Sequence, residues 1–93
     1  MTSKVNASHI LVKTELEATT CLNWLKAGKS FEEIAMQKSL CPSKRKGGNL
    51  GWFTRGKMVK EFENACFSAK KGHLVGPVKT QFGYHIIRIN DVE

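Results

Sequence analysis

Ninety-three residues, 41% hydrophobic and 25% charged, are enough for one compact core and exclude both a second domain and a disordered chain. Fifteen Lys and Arg against eight Asp and Glu leave a formal charge of +7, a field that attracts anionic surfaces; no aromatic and basic interleaving accompanies it, so specific nucleic-acid recognition is excluded. The segment Met1-Thr2-Ser3-Lys4 lacks the apolar stretch of an export signal, no apolar run approaches the ~20 residues of a membrane span, and Cys21, Cys41 and Cys66 contain no C-x-x-C pair, so the expectation is a soluble, cytoplasmic monomer with reduced thiols and no metal.

In chain order, Val5, Ala7, His9 and Leu11 alternate with Asn6, Ser8, Ile10 and Val12. Apolar side chains fall on both sides of this period of two, as in a central strand. Thr14 stands three before Glu17 as in a capping box, and Ala18, Cys21, Leu22 and Leu25 follow on one helical stripe. Gly28 ends that helix, because glycine adopts the left-handed conformation without steric cost. Ser30 and Glu33 repeat the capping box, and Phe31, Ile34 and Ala35 supply the apolar face of a shorter helix.

From Leu40 to Gly51 the periodicity stops, and Pro42, Lys44-Arg45-Lys46 and Gly47-Gly48 read as an irregular loop. Gly51 to Thr54 allows a short strand, after which Arg55-Gly56-Lys57 turns the chain into a third helix with Met58, Phe62, Ala65 and Cys66 on one face. The tail predicts a hairpin: Val75 to Lys79, a turn at Thr80 to Gly83, then Tyr84 to Asn90 with His85, Ile87 and Ile89 on one side. Strand, two helices, strand, helix, strand, strand is an α+β order that suggests a four-stranded antiparallel sheet packed with helices.

Several of these residues could carry chemistry. His9 and His85 lie on apolar strand faces near opposite ends of the chain; if the first and last strands pair, two neutral imidazoles can exchange a hydrogen bond. Cys41 precedes a proline in a glycine-rich loop and reads either as a thiol facing a substrate or as a small loop residue without chemistry. Met58 and Phe62 read as core, as the wall of a shallow apolar pocket, or as both. The run Lys44-Arg45-Lys46 is a solvated loop or a contact for an anion or acidic peptide. Gly47, Gly48 and Gly51 lack the lysine spacing and preceding strand of a phosphate loop.

Together, the blocks His9-Ile10-Leu11-Val12-Lys13, Ser39-Leu40-Cys41-Pro42-Ser43, Gly47-Gly48-Asn49-Leu50-Gly51, Gly56-Lys57-Met58-Val59 with Phe62, Gly76-Pro77-Val78 and Thr80-Gln81-Phe82-Gly83-Tyr84-His85 closely resemble the parvulin family of rotamases. The resemblance runs from about Val5 to Ile89 in the family's order. It implies a peptide groove over the sheet, with His9 and His85 as the paired histidines, Cys41 at the central polar position and Thr80 in their hydrogen-bond network. It also implies a proline pocket of Leu50, Met58 and Phe62, widened by Phe82 and walled in part by Phe53. The phospho-specific branch of the family inserts a long basic loop after the first strand; here Lys13 passes within a few residues into the first helix, so a strict demand for a phosphorylated residue is not expected.

The activity implied is cis/trans isomerisation of X-Pro bonds in proline-containing or unfolded polypeptides, without cofactor and without a covalent step. The alternatives are a noncatalytic module that grips such segments and a basic domain that adheres to anionic lipid or nucleic acid.

Overall fold

The computed structural model describes residues 2–93. Met1, the first residue of the segment read as lacking an export signal, lies outside them. Strand β1, Val5–Val12, is followed by helices α1, Glu15–Lys26, and α2, Phe31–Lys38. A 3-10 helix over Pro42–Lys46 leads to β2, Asn49–Phe53; then come α3, Lys60–Phe67, β3, Leu74–Thr80, and β4, Gly83–Val92. The four strands form one antiparallel sheet in the order β2-β1-β4-β3, the architecture expected from the sequence.

At both expected capping boxes the N-cap hydroxyl bonds the third helical amide, while the reciprocal bond from the glutamate carboxylate to the cap amide does not form. The Thr14 hydroxyl accepts from the Glu17 amide at 3.2 Å, and the Ser30 hydroxyl accepts from the Glu33 amide at 3.3 Å. Each cap satisfies an amide that the first helical turn leaves unpartnered, fixing where α1 and α2 begin.

The two faces of the sheet bury different clusters. Val5 and Ala7 of β1 and Ile87 and Ile89 of β4 pack with Phe53 and with Phe62, Cys66 and Phe67 of α3. On the opposite face Ile10, Val12 and Ile86 pack with Ala18 and Cys21 of α1 and with Phe31, Ile34 and Ala35 of α2. The period of two in β1 and β4 therefore serves two cores, and the buried polar side chains of these strands, Ser8, His9 and His85, are the exceptions that need partners of their own.

Two expectations are corrected. The stretch from Leu40 to Gly51 is not wholly irregular: Pro42, whose fixed φ suits the first position of a helix, opens the 3-10 segment, and Leu50 already belongs to β2. Met58 is not on the third helix. α3 begins at Lys60 after an extended Val59, and the preceding turn is held against it by Glu63, which accepts from the Gly56 amide and pairs with Arg55 at 3.2 Å. Met58 therefore approaches Phe62 from a bend, not from one turn earlier in the same helix.

Candidate active site

β1 and β4 are the central strands, and their register sets the site. Leu11 lies opposite His85 and His9 opposite Ile87, so the two imidazoles are diagonal neighbours on the face that carries α3. They meet with Nδ1 of His9 3.0 Å from Nδ1 of His85. Thr80, at the end of β3, brings its hydroxyl to 2.7 Å from Nε2 of His85 and accepts the Phe82 amide at 3.2 Å. The ring of Phe62 stands edge-on to both imidazoles, its centroid 5.4 Å from that of His9 and 5.1 Å from that of His85.

The histidines are only 5% and 3% exposed. Burial, reinforced at His9 by the neighbouring imidazole, pushes the pKa of His9 down to about 4, and burial does the same at His85. Both rings are therefore neutral near neutral pH, and one Nδ1 must donate to the other. Phe82 already occupies one lone pair of Thr80, and the hydroxyl proton of Thr80 has no acceptor other than Nε2 of His85 among the described residues. If Thr80 donates there, His85 is protonated on Nδ1 and donates to Nδ1 of His9, whose proton then lies on Nε2. The reverse order strands both the Thr80 proton and a bare Nε2; the forward order leaves a single buried group, Nε2 of His9, unpartnered.

Above this pair lies a groove of about 520 Å³. His9 and His85 form part of its lining, with Leu50, Met58, Phe62 and Phe82 around them. Cys41 also faces it. The segment that carries Cys41 is fastened to the end of β1: the Leu40 amide donates to the Leu11 carbonyl at 2.8 Å, and the Ser39 hydroxyl accepts from the amides of Leu11 and Cys41 at 3.0 and 3.3 Å. Ser39 is buried, so these bonds are shielded from water and hold the loop in register with the strand.

Seven of the nine residues singled out in the sequence line this groove; Thr80 supports it from below, and Phe53 is elsewhere. Phe53 pairs with Val5, at the far end of β1 from His9, and packs in the core 6.2 Å from Phe62 and 6.0 Å from Phe67. The hydrogen-bonded floor comprises His9, His85 and Thr80; the Cys41 thiol makes no hydrogen bond to either imidazole among the described residues. Sequence reading missed Leu11, Leu40, Pro42, Lys57 and Val59 in the lining. Leu11 could have been found, since it shares the face of His9 two residues away; Leu40 and Val59 face the groove through backbone contacts and bends that no periodicity announces.

Comparison with known proteins agrees with this geometry. The family described as the PPIC-type PPIASE domain matches residues 1–93. The chain belongs to that family. The PpiC-type domain is 55% identical over 91 residues to foldase protein PrsA 1 of Bacillus cereus, covering 97% of this chain and 32% of that protein. Among solved structures, PrsA from Bacillus anthracis superimposes with a TM-score of 0.96 at 44% identity, covering 99% of this chain and 43% of the other. The parvulin of Nitrosopumilus maritimus gives 0.86 at 43% identity, covering 96% of this chain and 97% of its own. The PpiC-type domain thus spans about a third of the length of the curated foldases it matches and nearly the whole of the small parvulin.

Proposed function

We propose that this PpiC-type domain is a peptidyl-prolyl cis/trans isomerase that turns X-Pro bonds of polypeptides in the groove above His9 and His85, without a covalent intermediate. The observation that carries the reading is an open apolar groove whose floor is a neutral, buried imidazole pair.

The X-Pro amide is planar by resonance, and rotation crosses a barrier of about 18–20 kcal/mol. At the twisted transition state the nitrogen becomes pyramidal and the carbonyl loses part of its dipole, so a dry groove disfavours the planar amide more than the twisted one. Leu50, Met58 and Phe62 supply the apolar surface against which a pyrrolidine ring is held, and Phe82 closes the rim. Thr80 and the two histidines, with all but one polar group internally satisfied, keep the floor neutral and rigid. Each ~1.4 kcal/mol of differential stabilisation is a factor of ten in rate, so a few modest contacts suffice for several decades. No nucleophile is required, and Cys41 acts as a wall of the groove.

The floor of His9, His85 and Thr80 is bonded within the chain's own fold, and we take the domain to act as a monomer. The three free thiols, Cys21 and Cys66 buried and Cys41 at the groove, support a reducing, cytoplasmic setting. Exposed apolar groups at the rim, Leu40 and Phe82 at 59% each, support clients that are extended or unfolded polypeptides. The test is exchange between cis and trans X-Pro peptides followed by NMR magnetisation transfer at substoichiometric protein. Accelerated exchange is expected; binding without acceleration by a folded domain would overturn the isomerase reading in favour of a peptide-gripping module.

A further inference from the structure

The groove has one charged wall. Lys57, in the bend before α3, is the single charged side chain that lines it; the other lining residues are apolar, neutral histidine or thiol. Lys57 makes no ion pair among the described residues, and neither do the exposed Lys44, Arg45 and Lys46 of the 3-10 helix that follows Pro42 at the rim. Four of the eight carboxylates are held in ion pairs; of the other four, Glu15, Glu17, Glu33 and Glu61, none pairs with Lys57 among the described residues, although Glu61 stands only four residues beyond it in the first turn of α3. Glu63 holds Arg55, Glu32 holds Arg88, and Asp91 and Glu93 hold Lys71 and Lys4. Glu15 and Glu17 lie in the first turn of α1, and no Asp or Glu lines the groove. A bound peptide would therefore meet the Lys57 ammonium in the wall of an apolar trough, with the unpaired Lys44–Lys46 run following Pro42 of the same lining, and a complementary anion gains there while a cation loses.

We propose that the groove selects X-Pro segments with an acidic side chain beside the proline, and that Lys57, assisted by the Lys44–Lys46 run, is the specificity-determining residue. This rests on the isomerase reading of the same groove and adds the substrate class. The recognised chemistry is a carboxylate or phosphate on the client. Without a buried donor set to enclose it, the interaction is that of an exposed ion pair: a preference and not a requirement.

The experiment compares blocked peptides that differ only in Glu, Gln or Lys on either side of proline, with a phosphoserine peptide as a separate arm, at low salt and across a salt series. The expected result is a kcat/KM for Glu above that for Gln by roughly two- to fivefold, Lys below Gln, and both ratios approaching one as salt screens the charges. Lys57→Gln should bring the Glu-to-Gln ratio towards one and Lys57→Glu should bring it below one; Lys44→Gln with Lys46→Gln should lower it partially. A phosphoserine arm much stronger than the Glu arm would assign the site to phosphate, and equal arms to negative charge in general. A Glu-to-Gln ratio of one at low salt on both sides of proline, or a ratio that survives Lys57→Gln and the Lys44, Lys46 pair, would overturn the inference while leaving isomerase activity on the Gln peptides intact. Were no peptide accelerated, the isomerase reading would fall, and the same ratio measured as binding by chemical-shift titration would still decide the charge preference.

Discussion

His9 and His85, 76 residues apart in sequence, face each other Nδ1 to Nδ1 at 3.0 Å because Leu11 pairs with His85 across the two central strands. Such a bond needs one bare nitrogen, so it exists only while at least one ring is neutral. The domain therefore depends on keeping protons off a buried pair.

Stability follows with a definite sign. Both folded-state pKa values, about 4, lie below the ordinary 6.5, so between these limits the unfolded chain binds more protons than the folded one. The contribution is fully present above about 6.5 and is lost as pH falls through about 4. Urea unfolding on either side of this window should show a loss on the order of a few kcal/mol on acidification. His9→Asn with His85→Asn should flatten that slope; an unchanged slope would show that other groups carry it.

Tautomers give a second check. Nitrogen-15 spectra at neutral pH should show His85 protonated on Nδ1 and His9 on Nε2. Thr80→Val, which keeps the shape but removes the hydroxyl, should destabilise by about 1–2 kcal/mol and scramble this order, since Nε2 of His85 and the Phe82 amide both lose their partner. Protonation of His85 on Nε2 in the wild type would reverse the assignment.

Activity and stability should separate along the groove. Met58 is half-buried in a bend, so Met58→Ala is expected to lower kcat/KM roughly tenfold or more with little change in unfolding free energy. Phe62, 3% exposed and in contact with both imidazoles, should lose activity and about 3–5 kcal/mol of stability on Phe62→Ala. Cys41→Ala should stay within roughly a factor of ten, about 1.4 kcal/mol, of wild type. Abolished turnover in that variant, together with a covalent adduct trapped on the wild type, would overturn the noncovalent scheme.

Gly48 reports on how His9 is held. Its φ is +89° and an added Cβ would lie 2.5 Å from the His9 carbonyl oxygen, where the chain from the 3-10 helix bonds back to β1 through the His9 amide at 2.9 Å. Gly51 has φ +73° but open space around it. Gly51→Ala should cost about 1–2 kcal/mol of backbone strain alone, whereas Gly48→Ala should cost more and shift the His9 ring resonances. Equal effects would mean that the close approach is unimportant.

What the sequence by itself determined is local and periodic. Capping-box spacings at Thr14 and Ser30, alternation around His9 and His85, and the turn at Thr80 to Gly83 each express a preference of a few neighbouring residues, and these placed the strands, two helices and the histidine faces. The tertiary structure decided what depends on distant partners. Phe53 lies in the core because Val5 pairs with it, Met58 reaches Phe62 from a bend because Glu63 ties the turn to α3, and Leu40 joins the groove because its amide is fastened to Leu11. Lys57 is the clearest case. One lysine among fifteen basic residues gives no local signal, and only the fold sets it in a trough whose lining holds no carboxylate, without an ion pair among the described residues.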